Sequence, residues 1–141
     1  KALKLLSGRK LSFFETGYNE RNFLEEQVIS KNELESTFGD LVIARKDIGT
    51  SYNLSVVIDD AAQQITHVTR GDDLFQVTPI QILLQKLLSL PTPIYHHHEL
   101  LYEESGKKIS KRASPQSVSS FRTNGYTPGQ VIELAFSLRK K

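Results

Sequence analysis

ITHVTRGDDLFQVTPIQILLQKLLSLPTPIYHHHELL, residues 65–101, is the stretch on which the fold turns. Ile65 to Thr69 is rich in β-branched residues and reads as a strand. Thr78-Pro79 reads as an N-cap followed by proline at the first helical position. Ile80, Leu83, Leu84 and Leu87 recur at helical spacing, and Pro91 ends the run. Tyr95 to Leu101 reads as a second strand, before a turn at Ser105-Gly106. Strand, helix, strand and loop in alternation imply an α/β layer with a parallel sheet. In such sheets ligands bind beyond the carboxyl ends of the strands. Arg70 follows one strand and the Lys107–Arg112 loop follows the other, so both are expected where a nucleotide site belongs.

Outward from this stretch the pattern is less regular. Tyr52 to Ala62 is mostly apolar and ends in Asp59-Asp60; helix and buried strand both fit its periodicity. Leu41-Val42-Ile43-Ala44, between turns at Gly39-Asp40 and Asp47-Ile48-Gly49, suits a short buried strand. Leu11 to Phe14 suits another strand, and Phe23 to Phe38 offers mixed helical spacing among many charges. Toward the C-terminus, Ser114-Pro115 and Thr127-Pro128 each predict a helix start, the second with Val131, Leu134, Ala135 and Leu138 on one face.

The chain has 141 residues, the size of one ordinary domain. It contains no cysteine, which excludes disulfides and thiolate metal sites. No apolar run approaches the roughly 20 residues needed to cross a bilayer. Lys1-Ala2-Leu3-Lys4-Leu5-Leu6 is too short for a secretory signal. With no methionine even at position 1, a truncated or processed chain and simple removal of the initiator fit equally well. The net charge of +2 hides an asymmetry: residues 1–100 carry 10 basic and 13 acidic side chains, residues 101–141 carry 8 and 3. Lys107, Lys108, Lys111 and Arg112 cluster in the basic part, as a phosphate-attracting patch or as a solvated turn. Asp59-Asp60 is assigned a structural role. So is His96-His97-His98, because strand neighbours point to opposite faces and no third ligand joins His96 and His98.

Lys108-Ile109-Ser110-Lys111-Arg112 resembles the second signature loop of class I aminoacyl-tRNA synthetases. Further blocks extend the likeness: Gly39-Asp40-Leu41-Val42-Ile43-Ala44-Arg45-Lys46-Asp47, Ser51-Tyr52-Asn53-Leu54-Ser55-Val56-Val57-Ile58-Asp59-Asp60, Ile65-Thr66-His67-Val68-Thr69-Arg70-Gly71-Asp72-Asp73-Leu74 and Thr78-Pro79-Ile80-Gln81. From Gly39 to Arg112 the chain is similar to the glutamyl-tRNA synthetase family. That resemblance implies the second half of a Rossmann-like nucleotide-binding fold in residues 47–141. Residues 1–46 would be part of the acceptor-stem-binding insertion. It implies a ligase that forms glutamyl-adenylate from glutamate and ATP, with Mg²⁺ accompanying ATP, and passes glutamate to tRNA in the cytoplasm. Zinc has no support in this chain.

Residue by residue, the resemblance places Tyr52 in the glutamate pocket and pairs Arg70 with the substrate's side-chain carboxylate. A guanidinium suits that task because its planar fork matches a carboxylate. Lys111 would meet the ATP phosphates, with Lys108 and Ser110 in the same loop, where cationic groups stabilise charge developing in phosphoryl transfer. Asp73 would lie near the adenosine ribose. Without the family, Tyr52 reads as a core residue, and Arg70 as an ion-pair partner of Asp72 or Asp73.

Two departures from the family matter. None of the four histidines stands in a His-x-Gly-His-like first signature, so the isolated chain is expected to be inactive and to need an N-terminal half. Only 29 residues follow Arg112, no room for an anticodon-binding domain. Together with Arg9-Lys10-Leu11-Ser12-Phe13-Phe14-Glu15-Thr16-Gly17, this favours the family's shortened branch, which glutamylates queuosine in the anticodon of an aspartate tRNA. The rivals are a fragment of a discriminating glutamyl-tRNA synthetase, another nucleotidyltransferase of the same fold, and a non-catalytic RNA- or partner-binding remnant.

Overall fold

In the computed structural model, residues 10–17, 24–102, 106, 108–109 and 117–138 are described. The chain forms two compact units, Lys1–His98 and Glu99–Lys141. In the first, β1 (Ser12–Glu15) alternates as a half-buried strand should, burying Phe13 and Glu15 and exposing Phe14. It pairs antiparallel with β2 (Glu25–Val28), and β4 (Ile94–His98) runs parallel to both β1 and β3 (His67–Gly71). The strand order is β2-β1-β4-β3. The expected α/β layer is present, its three parallel strands carrying one antiparallel edge strand.

The helices of this unit are α1 (Lys31–Phe38), α2 (Tyr52–Ala62) and α3 (Thr78–Leu87), the last preceded by a 3-10 turn at Asp72–Val77. Leu11, Phe13, Ile29, Leu34, Val57, Ile80, Ile82, Leu84 and Tyr95 make the core. Phe13 anchors its aromatic part, edge-on to Tyr95 at 5.5 Å and to Phe75 at 6.1 Å.

Several elements differ from the sequence reading. Phe23 to Phe38 is not one helical stretch, since Glu25–Val28 is a strand. Its charges are tolerated because it forms an edge, where Lys10 and Ser12 both bond Glu26. The helix begins only at Lys31, where Ser30 Oγ accepts from the Glu33 N–H. Leu41 to Ala44 is not a buried strand. Among the described residues no neighbouring strand pairs with it, and Leu41, Val42 and Ile43 are exposed. Its Ile43 carbonyl instead accepts from Ser51 N–H, closing the turn. The ambiguous Tyr52–Ala62 segment is a helix, capped by Ser51.

Thr78 is the first residue of α3 rather than its cap. Its hydroxyl donates to the Leu74 carbonyl, and the 3-10 turn leads straight into the helix. The two strands of the 65–101 stretch are shifted or shortened, to His67–Gly71 and Ile94–His98.

In the second unit, Tyr102 and Lys108 form an isolated antiparallel bridge. Ser117 caps α4 (Val118–Thr123), while Ser114-Pro115, read as that helix's start, lies outside the described residues. Thr127 and Gln130 form a capping box for α5 (Pro128–Ser137). Val131, Leu134, Ala135 and Leu138 are half-buried between exposed neighbours, the face expected from their spacing.

Candidate functional site

The register of the parallel strands creates a polar row at their carboxyl ends. Arg70 lies opposite His97, and Glu15 opposite Tyr95. Side chains alternate along a strand, so Tyr95 and His97 are buried together on the face that also buries Phe13 and Glu15. Glu15 ends β1, and Arg70 and His97 each stand one residue from the end of their strand. One polar side chain from each of three adjacent strands thus arrives where α/β sheets bind ligands.

Glu15 is 0% exposed. Its Oε1 accepts from the Gly17 N–H at 2.7 Å and the His97 N–H at 2.9 Å, and its Oε2 lies 2.6 Å from His97 Nδ1. On the other side of the ring, Arg70 Nε donates to His97 Nε2 at 3.0 Å. A guanidinium N–H can only donate. His97 Nε2 must therefore carry a lone pair, and the ring proton sits on Nδ1, facing Glu15. Burial accordingly lowers the His97 pKa below its ordinary 6.5, against the Glu15 hydrogen bond, which favours the charged form.

The rest of the guanidinium is equally constrained. Nη1 donates to Gln81 Oε1 at 2.7 Å and Nη2 to Thr78 Oγ1 at 2.6 Å. Its Cζ lies over the Tyr95 ring, 4.9 Å from the centroid, a cation–π contact. Gln81 passes the constraint on, donating to Asn53 Oδ1 at 3.1 Å in the first turn of α2. Three of the five guanidinium N–H groups thus go to neutral acceptors. Among the described residues no carboxylate forms an ion pair with Arg70, so the alternative pairing with Asp72 or Asp73 is not found. The fork is held by these bonds with no ion-paired carboxylate among the described residues, an arrangement that can receive an anion. On α2, burial raises the Asp60 pKa while the Arg70 charge lowers it.

Of the residues expected at a site, Arg70 is at the centre of this cage. Tyr52, 58% exposed, opens α2 next to Asn53 and is close enough to Tyr95 to influence its ionisation. It is therefore not the core residue of the family-free reading. Asp73 sits in the 3-10 turn that follows β3. Lys108 is half-buried in the second unit, its backbone in the bridge to Tyr102. Ser110 and Lys111 lie outside the described residues. Sequence reasoning missed Glu15, Thr78, Gln81 and His97. The available signal was strand alternation in Tyr95-His96-His97, which singles out one histidine on the face of the buried tyrosine. Among the described residues, no group of three or more His, Asp or Glu is placed to hold a metal ion, and no helix is long and apolar enough to cross a membrane.

Residues 4–139 match the family described as tRNA synthetases class I (E and Q), catalytic domain. The chain is 45% identical over 129 residues to a glutamyl-Q tRNA(Asp) synthetase of Rhodobacter capsulatus, covering 92% of this chain and 45% of that protein. It is 48% identical over 95 residues to a glutamate–tRNA ligase of Synechococcus sp., covering 64% of this chain and 20% of the ligase. Among solved structures, a glutamate tRNA ligase from Elizabethkingia meningosepticum superposes with a TM-score of 0.64 at 22% identity, over 90% of this chain and 27% of that one. The chain thus spans less than half the length of these relatives.

Proposed function

This chain belongs to the family of class I tRNA synthetase (E and Q) catalytic domains, and from that premise we propose that it is the glutamate-selecting part of a tRNA-glutamylating ligase. The supporting observation is Arg70, a fork fixed by three neutral acceptors at the carboxyl ends of parallel strands and given no carboxylate by the described protein residues. Glutamate would offer its side-chain carboxylate to the two remaining N–H groups, with Tyr52 lining the pocket beside it.

In the first step an α-carboxylate oxygen of glutamate attacks the α-phosphorus of ATP. The bond to the β-phosphate oxygen breaks, pyrophosphate leaves, and glutamyl-adenylate forms. In the second an RNA hydroxyl attacks the activated carbonyl and AMP departs. Lys111 and Lys108, with Ser110 between them, are assigned to the charge developing on the phosphates, and Asp73 to the ribose. Mg²⁺ would arrive with the ATP phosphates and screen their charge, which requires no dedicated set of protein ligands.

We assign residues 1–46 to part of the acceptor-stem-binding insertion and 47–141 to the second half of the nucleotide fold. Among the described residues β3 pairs on one side only, which suits a sheet continued by an N-terminal half. The isolated chain, lacking the first signature, would be inactive. The preferred acceptor is the queuosine of an aspartate tRNA, in line with the relative that aligns over 92% of the chain, and the expected compartment is the cytoplasm. Glutamate–tRNA ligases match as closely over shorter stretches, so a discriminating glutamyl-tRNA synthetase is the second reading.

The test is amino-acid-dependent pyrophosphate exchange by the full-length gene product, then transfer of labelled glutamate to tRNA(Asp) with queuosine, tRNA(Asp) without it, and tRNA(Glu). Exchange with glutamate and not glutamine, followed by labelling of the queuosine-bearing tRNA alone, is expected. Labelling of tRNA(Glu) instead establishes the second reading. Exchange that ignores the amino acid contradicts both.

A further inference from the structure

His97 does more in this cage than fill space. It is 2% exposed and stacks on Tyr95, ring centroids 5.9 Å apart and 9° between planes, with Phe75 edge-on at 5.1 Å. A phenylalanine could make those apolar contacts. What it could not do is present an acceptor to Arg70 Nε on one edge and a donor to Glu15 on the other. That pair of bonds gives the ring a direction.

We propose that His97 is a positioning residue for glutamate selectivity: Glu15 holds its proton on Nδ1, and the Nε2 lone pair so exposed fixes the rotation of the Arg70 fork. The proposal rests on the carboxylate-clamp reading of Arg70. An arginine side chain has many rotamers, and a fork recognises a carboxylate only in the right plane. Here the Tyr95 ring lies beneath the guanidinium carbon, Thr78 and Gln81 take one N–H each, and His97 takes Nε–H, which links the fork to the centre of the sheet. The opposite tautomer would point N–H at N–H. Protonation would do the same and add a second positive charge beside the guanidinium.

Among the described residues, the charged and titratable groups facing His97 are Glu15 from β1, Arg70 from β3, Asp72 from the 3-10 turn and Tyr95 on its own strand. From α3 it meets only the uncharged Thr78. Glu15 and Asp72 favour the imidazolium, whereas Arg70 and burial oppose it. The geometry places the balance on the neutral side, and acid tips it the other way. Glutamate selectivity is then lost as His97 takes up its second proton.

Three measurements on the full-length gene product test this. Nitrogen-15 NMR with labelled histidine is expected to find His97 Nε2 unprotonated and Nδ1 protonated at neutral pH. His97→Phe is expected to lower the glutamate-over-glutamine ratio of kcat/KM by about ten- to a hundredfold, the size of one hydrogen bond to a charged group, mainly by raising KM for glutamate. His97→Gln, which carries one acceptor and one donor, recovers most of it. In the unmodified enzyme, selectivity falls with pH along the His97 titration followed by NMR, so the test stands even where a variant does not fold.

A protonated Nε2 at neutral pH overturns the proposal, as does selectivity that stays constant while His97 titrates. A merely structural His97 would lower glutamate and glutamine activation alike. If the unmodified enzyme has no preference for glutamate, the clamp reading fails and the selectivity role falls with it. The NMR result still decides separately whether His97 directs Arg70.

Discussion

At the scale of single residues, the Arg70 charge is held by three hydrogen bonds and an aromatic ring, and its constraints come from far away in sequence. Arg70 itself was legible, because it falls in a family block from Ile65 to Leu74, although the strand expected to end before it includes it. Its cage was not. Glu15 lies 82 positions from His97, and neither carries a local motif that announces the other. The histidine tract suggested a metal to be dismissed, while the middle ring was the one turned inward. Burial of a neutral His97 has a consequence for stability. Its folded pKa is depressed below the ordinary 6.5, so its contribution is complete above that value and is lost as pH falls from there through the folded pKa. Chemical denaturation of the protein and of His97→Phe should diverge below about pH 6.5, with the unmodified protein losing stability faster. Parallel curves down to pH 5 would mean that His97 is not held neutral.

At the scale of elements, what the sequence revealed depended on whether local pattern and tertiary setting agreed. The start of α5 and its apolar face are local, and both were read from Thr127-Pro128 onward; the capping box with Gln130 was not. Leu41 to Ala44 has a strand's composition but no neighbouring strand to pair with among the described residues, and a strand is a pairing before it is a sequence. Glu25–Val28 is the converse, a strand with an unpromising charged sequence made possible by its edge position. The joining of β1 to β4 depends on one small residue. A Cβ on Gly17 would collide with the backbone carbonyl and amide of His97, so the chain can turn there only if that position is bare. Gly17→Ala should therefore destabilise the protein by about 1–3 kcal/mol and loosen the Glu15 bonds to His97. Denaturant midpoints and amide exchange at His97 are the readouts. An unchanged midpoint would show that β1 and β4 can separate at no cost.

At the scale of the whole molecule, three parallel strands bring Glu15, His97 and Arg70 into one row, and α2 and α3 close it with Asn53, Thr78 and Gln81. The α/β class could be read from the alternation in residues 65–101, because a parallel sheet demands a crossover between its strands. Which strands would be neighbours could not, since β1 reaches β4 from the far end of the sequence. The central claim is that this assembly exists to hold one guanidinium for a substrate carboxylate. Removing one member of a buried charged pair costs about 3–5 kcal/mol, which corresponds to roughly two to four orders of magnitude in kcat/KM. The most direct measurement compares glutamate and glutamine activation by the full-length gene product, Arg70→Ala and Arg70→Lys. Arg70→Ala should lose glutamate preference by that factor, and Arg70→Lys should recover only part, because an ammonium cannot reproduce the fork. If both variants keep the preference of the unmodified enzyme, Arg70 holds the fold together and does not choose the substrate.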